Sequence, residues 1–126
     1  MINLKIICFF DDVELSMNLV SICNNNNYEL IFPSYKNFNK DINNIAIGIV
    51  IIDMEEKIYN KVNLIDAIYK ETYFPIIGYK NKINKKIKED ANEIGFDIVI
   101  DKETLKRNLD VIFEQIIKEI KDKSKS

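Results

Sequence analysis

IAIGIVIID, residues 45–53, is the stretch on which the fold turns. It is aliphatic almost throughout, carries no charge before Asp53, and shows no polar alternation. A run this short and this apolar reads as a strand buried on both faces of a parallel sheet. Upstream, LKIICFF (residues 4–10) repeats the pattern with one interruption, Lys5, and stops at Asp11 and Asp12. Downstream, PIIGY (residues 75–79) and FDIVI (residues 96–100) are two further strands, the second ending at Asp101 and Lys102. A short strand is expected over residues 28–32, ended by Pro33.

Helical spacing fills the gaps. Leu15, Leu19, Ile22 and Cys23 fall on one helical face, which the Asn run at 24–27 closes as a turn. Leu64, Ile65, Ile68 and Tyr69 mark a second helix, while residues 37–44 suit a short helix or a loop and 54–60 a polar loop. Ile83, Ile87, Ala91 and Ile94 form a narrow stripe on a lysine-rich helix, closed by Gly95. Leu105, Leu109, Ile112, Phe113, Ile116, Ile117 and Ile120 give one long amphipathic helix at the end. Strands alternating with helices predict a parallel α/β sheet covered on both faces. Residues 1–121 are expected to form a single domain and 122–126 a frayed tail.

Composition narrows the chemistry. Apolar residues make up 47% of the 126, enough for a real core. Net charge is −2, so bulk positive charge holding nucleic acid is not expected. The chain has no His, which excludes His bases, His-ligated zinc and Ser-His-Asp or Cys-His triads. Cys8 and Cys23 are too few for a disulfide framework or a four-thiolate metal site, and read as core thiols. No apolar run reaches the roughly 20 residues of a membrane span, and residues 1–10 lack the features of a secretory signal. A cytoplasmic protein is expected.

In open parallel sheets the working site lies beyond the carboxyl ends of the strands. Asp11, Asp12, Asp53 and Lys102 stand at those ends. Clustered carboxylates call for a hard cation, and Mg2+ suits such oxygen donors. A carboxylate beside the metal can attack a phosphoryl group, with metal and lysine neutralising the oxygens. Asp53 is the natural nucleophile, Asp11 and Asp12 the metal-holding acids, and Lys102 a partner for Asp53 or its phosphoryl oxygen. Each acid also has a plainer reading: Asp11 or Asp12 as cap of the first helix, Asp101 as cap of the last.

The chain resembles the receiver domain of response regulators, the phospho-accepting module of two-component signalling. The resemblance rests on KIICFFDD (residues 5–12), IVIID (49–53), PIIGY (75–79) and ANEIGFDIVIDK (91–102), and spans nearly the whole chain. It implies a flavodoxin-like fold with strand order 2-1-3-4-5. It implies Asp53 as phospho-acceptor, Asp11, Asp12, Asp53 and the backbone carbonyl of Glu55 around Mg2+, and Lys102 as the family's characteristic lysine. It also implies a histidine kinase or phosphotransfer protein as donor. A downstream protein target would engage residues 80–121.

Departures are as informative. Lys80 stands where the family has Ser or Thr, and lysine cannot make the same short hydroxyl contact. Val99 replaces the aromatic switch residue, Glu103 the usual proline, and MEEKIY (residues 54–59) the usual loop after the acceptor. One reading is therefore a divergent stand-alone receiver with output through protein contact, since the sequence ends at residue 126. The alternative is a pseudo-receiver, a binding module in which Lys80 or Lys102 pairs with Asp53 in place of activation. A third, a flavodoxin-like nucleotide or flavin binder, is disfavoured because the turn at residues 10–13 has no Gly- or Ser/Thr-rich phosphate cradle. Lys80, Lys82, Lys85, Lys86 and Lys88 read either as a solvated face or as a docking patch for an acidic partner.

Overall fold

The computed structural model describes residues 4–33, 45, 47–55, 65, 68, 72 and 74–124. Five strands, β1 (Leu4–Phe9), β2 (Glu29–Ile31), β3 (Ile47–Asp53), β4 (Ile76–Lys80) and β5 (Ile98–Asp101), form one sheet in the order β2-β1-β3-β4-β5. All pairings are parallel. The described helices are α1 (Val13–Asn26), α2 (Lys85–Ile94), α3 (Lys102–Arg107) and α4 (Leu109–Ser124). Ile65 and Ile68 are helical and buried, as their spacing predicts. Residues 37–44, most of the loop at 54–60, Leu64 and Tyr69 lie outside the described residues.

Alternation along β3 explains why it reads as wholly apolar. Ile49 and Ile51 pack on one side with Leu15 and Leu19 of α1, Leu105 of α3, and Phe113 and Ile116 of α4. Val50 and Ile52 pack on the other with Ile65, Ile68, Ala91 of α2 and Phe96. Helices thus cover both faces, and a strand between two cores has no polar side to show. Lys5, the one charge in β1, sits opposite Glu29 of the edge strand and forms an ion pair with it. Cys8 and Cys23 are buried free thiols. Burial pushes the Cys8 thiol far up and that of Cys23 up to about 11, so neither is a ready nucleophile.

Several boundaries differ from those the sequence predicts. β2 is three residues long, not five, and helix α1 continues through Asn26 before Asn27 turns left-handed at φ 59°. Phe96 is not part of β5. It is buried against Gly78, where an added Cβ would lie 2.6 Å from its ring. Gly95 closes α2 at φ 132°, a backbone that suits glycine. The long last helix is divided. Asp101 caps α3, and at Asn108 the side-chain amide donates to Thr104 O at 2.9 Å while the backbone N–H donates to Thr104 and Leu105. An Asn side chain competing for helix carbonyls in this way favours a break. Beyond it α4 runs to Ser124, three residues into the segment expected to fray.

Candidate functional site

The strand order sets the site. Residues 49 and 51 face α1 and α3, so the two-residue period turns Asp53 to that same side at the end of β3. Its Oδ1 accepts the N–H of Glu55 at 2.9 Å, which fixes the carboxylate. On the neighbouring strand β1, the chain leaves the sheet through Phe10 and Asp11 and enters α1 at Asp12. Asp12 caps this helix, its Oδ1 accepting Leu15 N–H at 2.8 Å. Asp11 is exposed and makes no hydrogen bond or ion pair among the described residues.

The cation at the site comes from α3. Lys102, the first residue of that helix, forms an ion pair with Asp12 Oδ2 across the ends of β4 and β3. Lys106, one turn on, lies 3.7 Å from the same oxygen and 3.1 Å from Glu14 Oε2. Asp12 is 12% exposed. Its burial raises the carboxyl's pKa, but the Lys102 hydrogen bond, the Leu15 N–H and the two ammonium charges outweigh it, so the carboxyl lies below its usual range. The Lys102 ammonium is held above its usual range, first by its hydrogen bond to Asp12 and then by the charges of Asp12, Asp53 and Glu14. The charge of Asp53 acts on Lys102 from a distance, without a direct contact among the described residues. No ion pair joins Asp53 to Lys102 or to Lys80 among the described residues.

Lys80 is half-buried at the end of β4. Ile77 and Tyr79 of that strand face α1 and α3, so the same period turns Lys80 to the opposite side from Asp53. Asp101 accepts from Thr104 N at 2.9 Å and from its hydroxyl at 2.7 Å, so its role is the cap of α3. These bonds hold its carboxyl below the usual range.

Two features of this edge carry no local signal in the sequence. Glu55 contributes its carboxylate as well as its backbone. It accepts from Asn81 N at 3.3 Å and Asn81 Nδ2 at 3.2 Å, tying the loop after β3 to that after β4. No local pattern announces such a contact. Lys106 and Glu14 were equally unmarked, although Lys102 and Lys106 stand four apart and so share a helix face. Beside Asp11 lies an open groove of about 360 Å3, walled by Phe10, Val13, Met17, Val20 and Phe32.

As a donor set, carboxylates and a carbonyl suit Mg2+ in kind. In placement they do not fit it. No group of three or more Cys, Asp or Glu side chains stands together to hold a cation among the described residues. Both oxygens of Asp12 are already engaged.

Comparison with solved structures agrees with this architecture. The chain superposes on full-length FixJ of B. japonicum with a TM-score of 0.74 at 16% identity, over 96% of this chain and 61% of that one. Chemotaxis protein CheY4 of Vibrio cholerae matches with a TM-score of 0.69 at 12% identity, over 91% and 99% of the two chains. A response regulator in red light signaling of R. palustris matches at 0.54 and 15%, over 75% and 78%. The fold is thus the flavodoxin-like fold of response-regulator receiver domains. The chain spans about three fifths of full-length FixJ, 61%. No family model matches the sequence, and no curated protein matches it. No helix among the described residues is long and apolar enough to cross a membrane.

Proposed function

We propose that this chain is a divergent receiver-like signalling domain that accepts a phosphoryl group on Asp53 and passes its state on by protein contact. The observation that carries the reading is the position of Asp53. It ends the central strand of a 2-1-3-4-5 sheet and faces the same side as the Asp12–Lys102 pair. In the acceptance step a carboxylate oxygen of Asp53 attacks the phosphorus of a phosphohistidine donor. The O–P bond forms, the P–N bond breaks, and the imidazole leaves. Lys102 offsets charge gathering on the phosphoryl oxygens. The Glu55 N–H keeps the carboxylate in one orientation.

In this reading the donor is a histidine kinase or phosphotransfer protein and the setting cytoplasmic. The domain signals rather than turning over a substrate. The target is a protein engaging residues 80–121, where Lys82, Lys85, Lys86 and Lys88 are exposed. Nucleic acid is not a direct partner. Receiver chemistry uses Mg2+, whereas the carboxylates here do not gather around a cation, so the test is run with and without it.

The test is incubation with acetyl phosphate followed by intact mass measurement. A single hydroxylamine-labile phosphoryl adduct is expected on the wild type and none on Asp53→Asn. An adduct that persists in the variant moves the acceptor elsewhere. No adduct on the wild type, with or without Mg2+, favours the second reading, a phosphorylation-independent binding module. The observation behind that second reading is that Asp12 is already neutralised by Lys102.

A further inference from the structure

The acidic edge carries its own counter-ions. Asp12 Oδ1 is spent on the cap of α1, at 2.8 Å from Leu15 N. Its Oδ2 meets Lys102 directly and Lys106 at 3.7 Å. Lys106 is not a loose surface lysine. Its side chain is 12% exposed, and Glu14 on the first turn of α1 holds its ammonium at 3.1 Å. Lys102 and Lys106, four residues apart on α3, reach the same carboxylate from one helix face. Asp12, Glu14, Lys102 and Lys106 therefore form a set of two negative and two positive charges that balances.

A divalent cation approaching Asp12 must displace Lys102 and then remain beside a second ammonium that Glu14 keeps in place. The fixed charge of Lys106 repels it at close range, in a setting partly shielded from water. Lys102 has an alternative, since the charge of Asp53 also draws it. Among the described residues Lys106 pairs with no acid other than Asp12 and Glu14, so it is the fixed member of the pair.

We propose that Lys106 is a built-in counter-ion that, together with Lys102, takes the place of a divalent cation at Asp12 and keeps Mg2+ binding at this edge weak. The inference rests on the geometry around Asp12 and not on phosphoryl transfer to Asp53. Its test reads ion binding alone, so its failure and that of the acceptor reading are separate events.

The experiment is a Mg2+ titration followed by amide NMR shifts at residues 11–13 and 53–55, on the wild type, Lys106→Gln and Lys106→Arg. Lys106→Gln removes the fixed charge and should bind Mg2+ on the order of tenfold more tightly than the wild type. Lys106→Arg keeps the charge and should bind as weakly as the wild type. Lys106→Met, which keeps an apolar stem, serves the same comparison should the glutamine variant lose its dispersed spectrum. Equal affinity in the wild type and the charge-removing variants overturns the proposal. So does an arginine variant that binds as tightly as the glutamine one.

Discussion

Asp12 stabilises the molecule in two separable ways, as a helix cap and as a charge partner. The cap needs only a side-chain oxygen, and asparagine supplies one. The ion pairs with Lys102 and Lys106 need the charge. Asp12→Ala should therefore cost about 1–2 kcal/mol, the usual loss for a removed cap, with Lys102 losing its ion pair besides and Lys106 keeping only Glu14. Asp12→Asn should keep most of the cap and lose the pairing. The pH dependence follows from the lowered carboxyl pKa. A carboxyl held below its unfolded value, about 3.9, contributes stability that is complete above that value and lost as pH falls through the folded one. Urea unfolding at neutral and acid pH should show the wild type losing its advantage over Asp12→Asn on acidification; a constant gap would remove Asp12 from the acid response. The sequence placed an acid pair after β1 and left open which of the two caps the helix. The cap decides it, and only the path of the chain into α1 shows that Asp12 turns inward while Asp11 stays in water.

At the scale of elements, α1 shows how one helix carries two apolar stripes with different fates. Leu15, Leu19 and Cys23 are buried against the sheet. Val13, Met17 and Val20 follow the same spacing on another face and are exposed, bordering the groove beside Asp11. Periodicity alone cannot rank two regular stripes, because it reports a face and not what covers it. Burial separates them in energy. Leu19→Ala at 0% exposure should cost about 2–5 kcal/mol through lost transfer energy and the cavity left behind. Met17→Ser at 67% exposure should stay within about 0.5 kcal/mol of the wild type. Denaturant midpoints measure both, and a comparable loss for Met17→Ser would mean that its side chain is covered in solution. The strands were the most legible elements, because a parallel strand between two cores has no polar side and stands out as an unbroken aliphatic run. The division of the last helix was not legible. Apolar spacing continues through residue 108, and the break comes from a side-chain amide taking a backbone carbonyl.

For the whole molecule, the question is how far an event at Asp53 travels. The topology was readable from strand–helix alternation, and two-residue periodicity turns Asp53 to the side of the sheet on which Asp12 pairs with Lys102. Lys80 shows where linear reading stops, since its strand's period turns it to the opposite face. The receiver resemblance implies two routes for carrying a change outward, and the chain departs from it at both positions. A lysine on the far face replaces the hydroxyl that would move towards the phosphoryl group. Val99 replaces the aromatic ring that would change position, and it is 8% exposed among Phe96, Ala91 and Ile76. A short side chain branched at Cβ, packed on that scale, has little room to exchange rotamers. An acyl phosphate at Asp53 would therefore perturb the strand ends and stop there. Beryllofluoride, a stable mimic of aspartyl phosphate, added with saturating Mg2+ should shift amides at residues 11–13, 53–55, 80–82 and 101–106. The amides of α2, Lys85–Ile94, should stay still. Shifts spreading along α2 would show a conducting route that does not use residues 80 and 99, and the Glu55–Asn81 tie between the loops after β3 and β4 would be the contact to cut next.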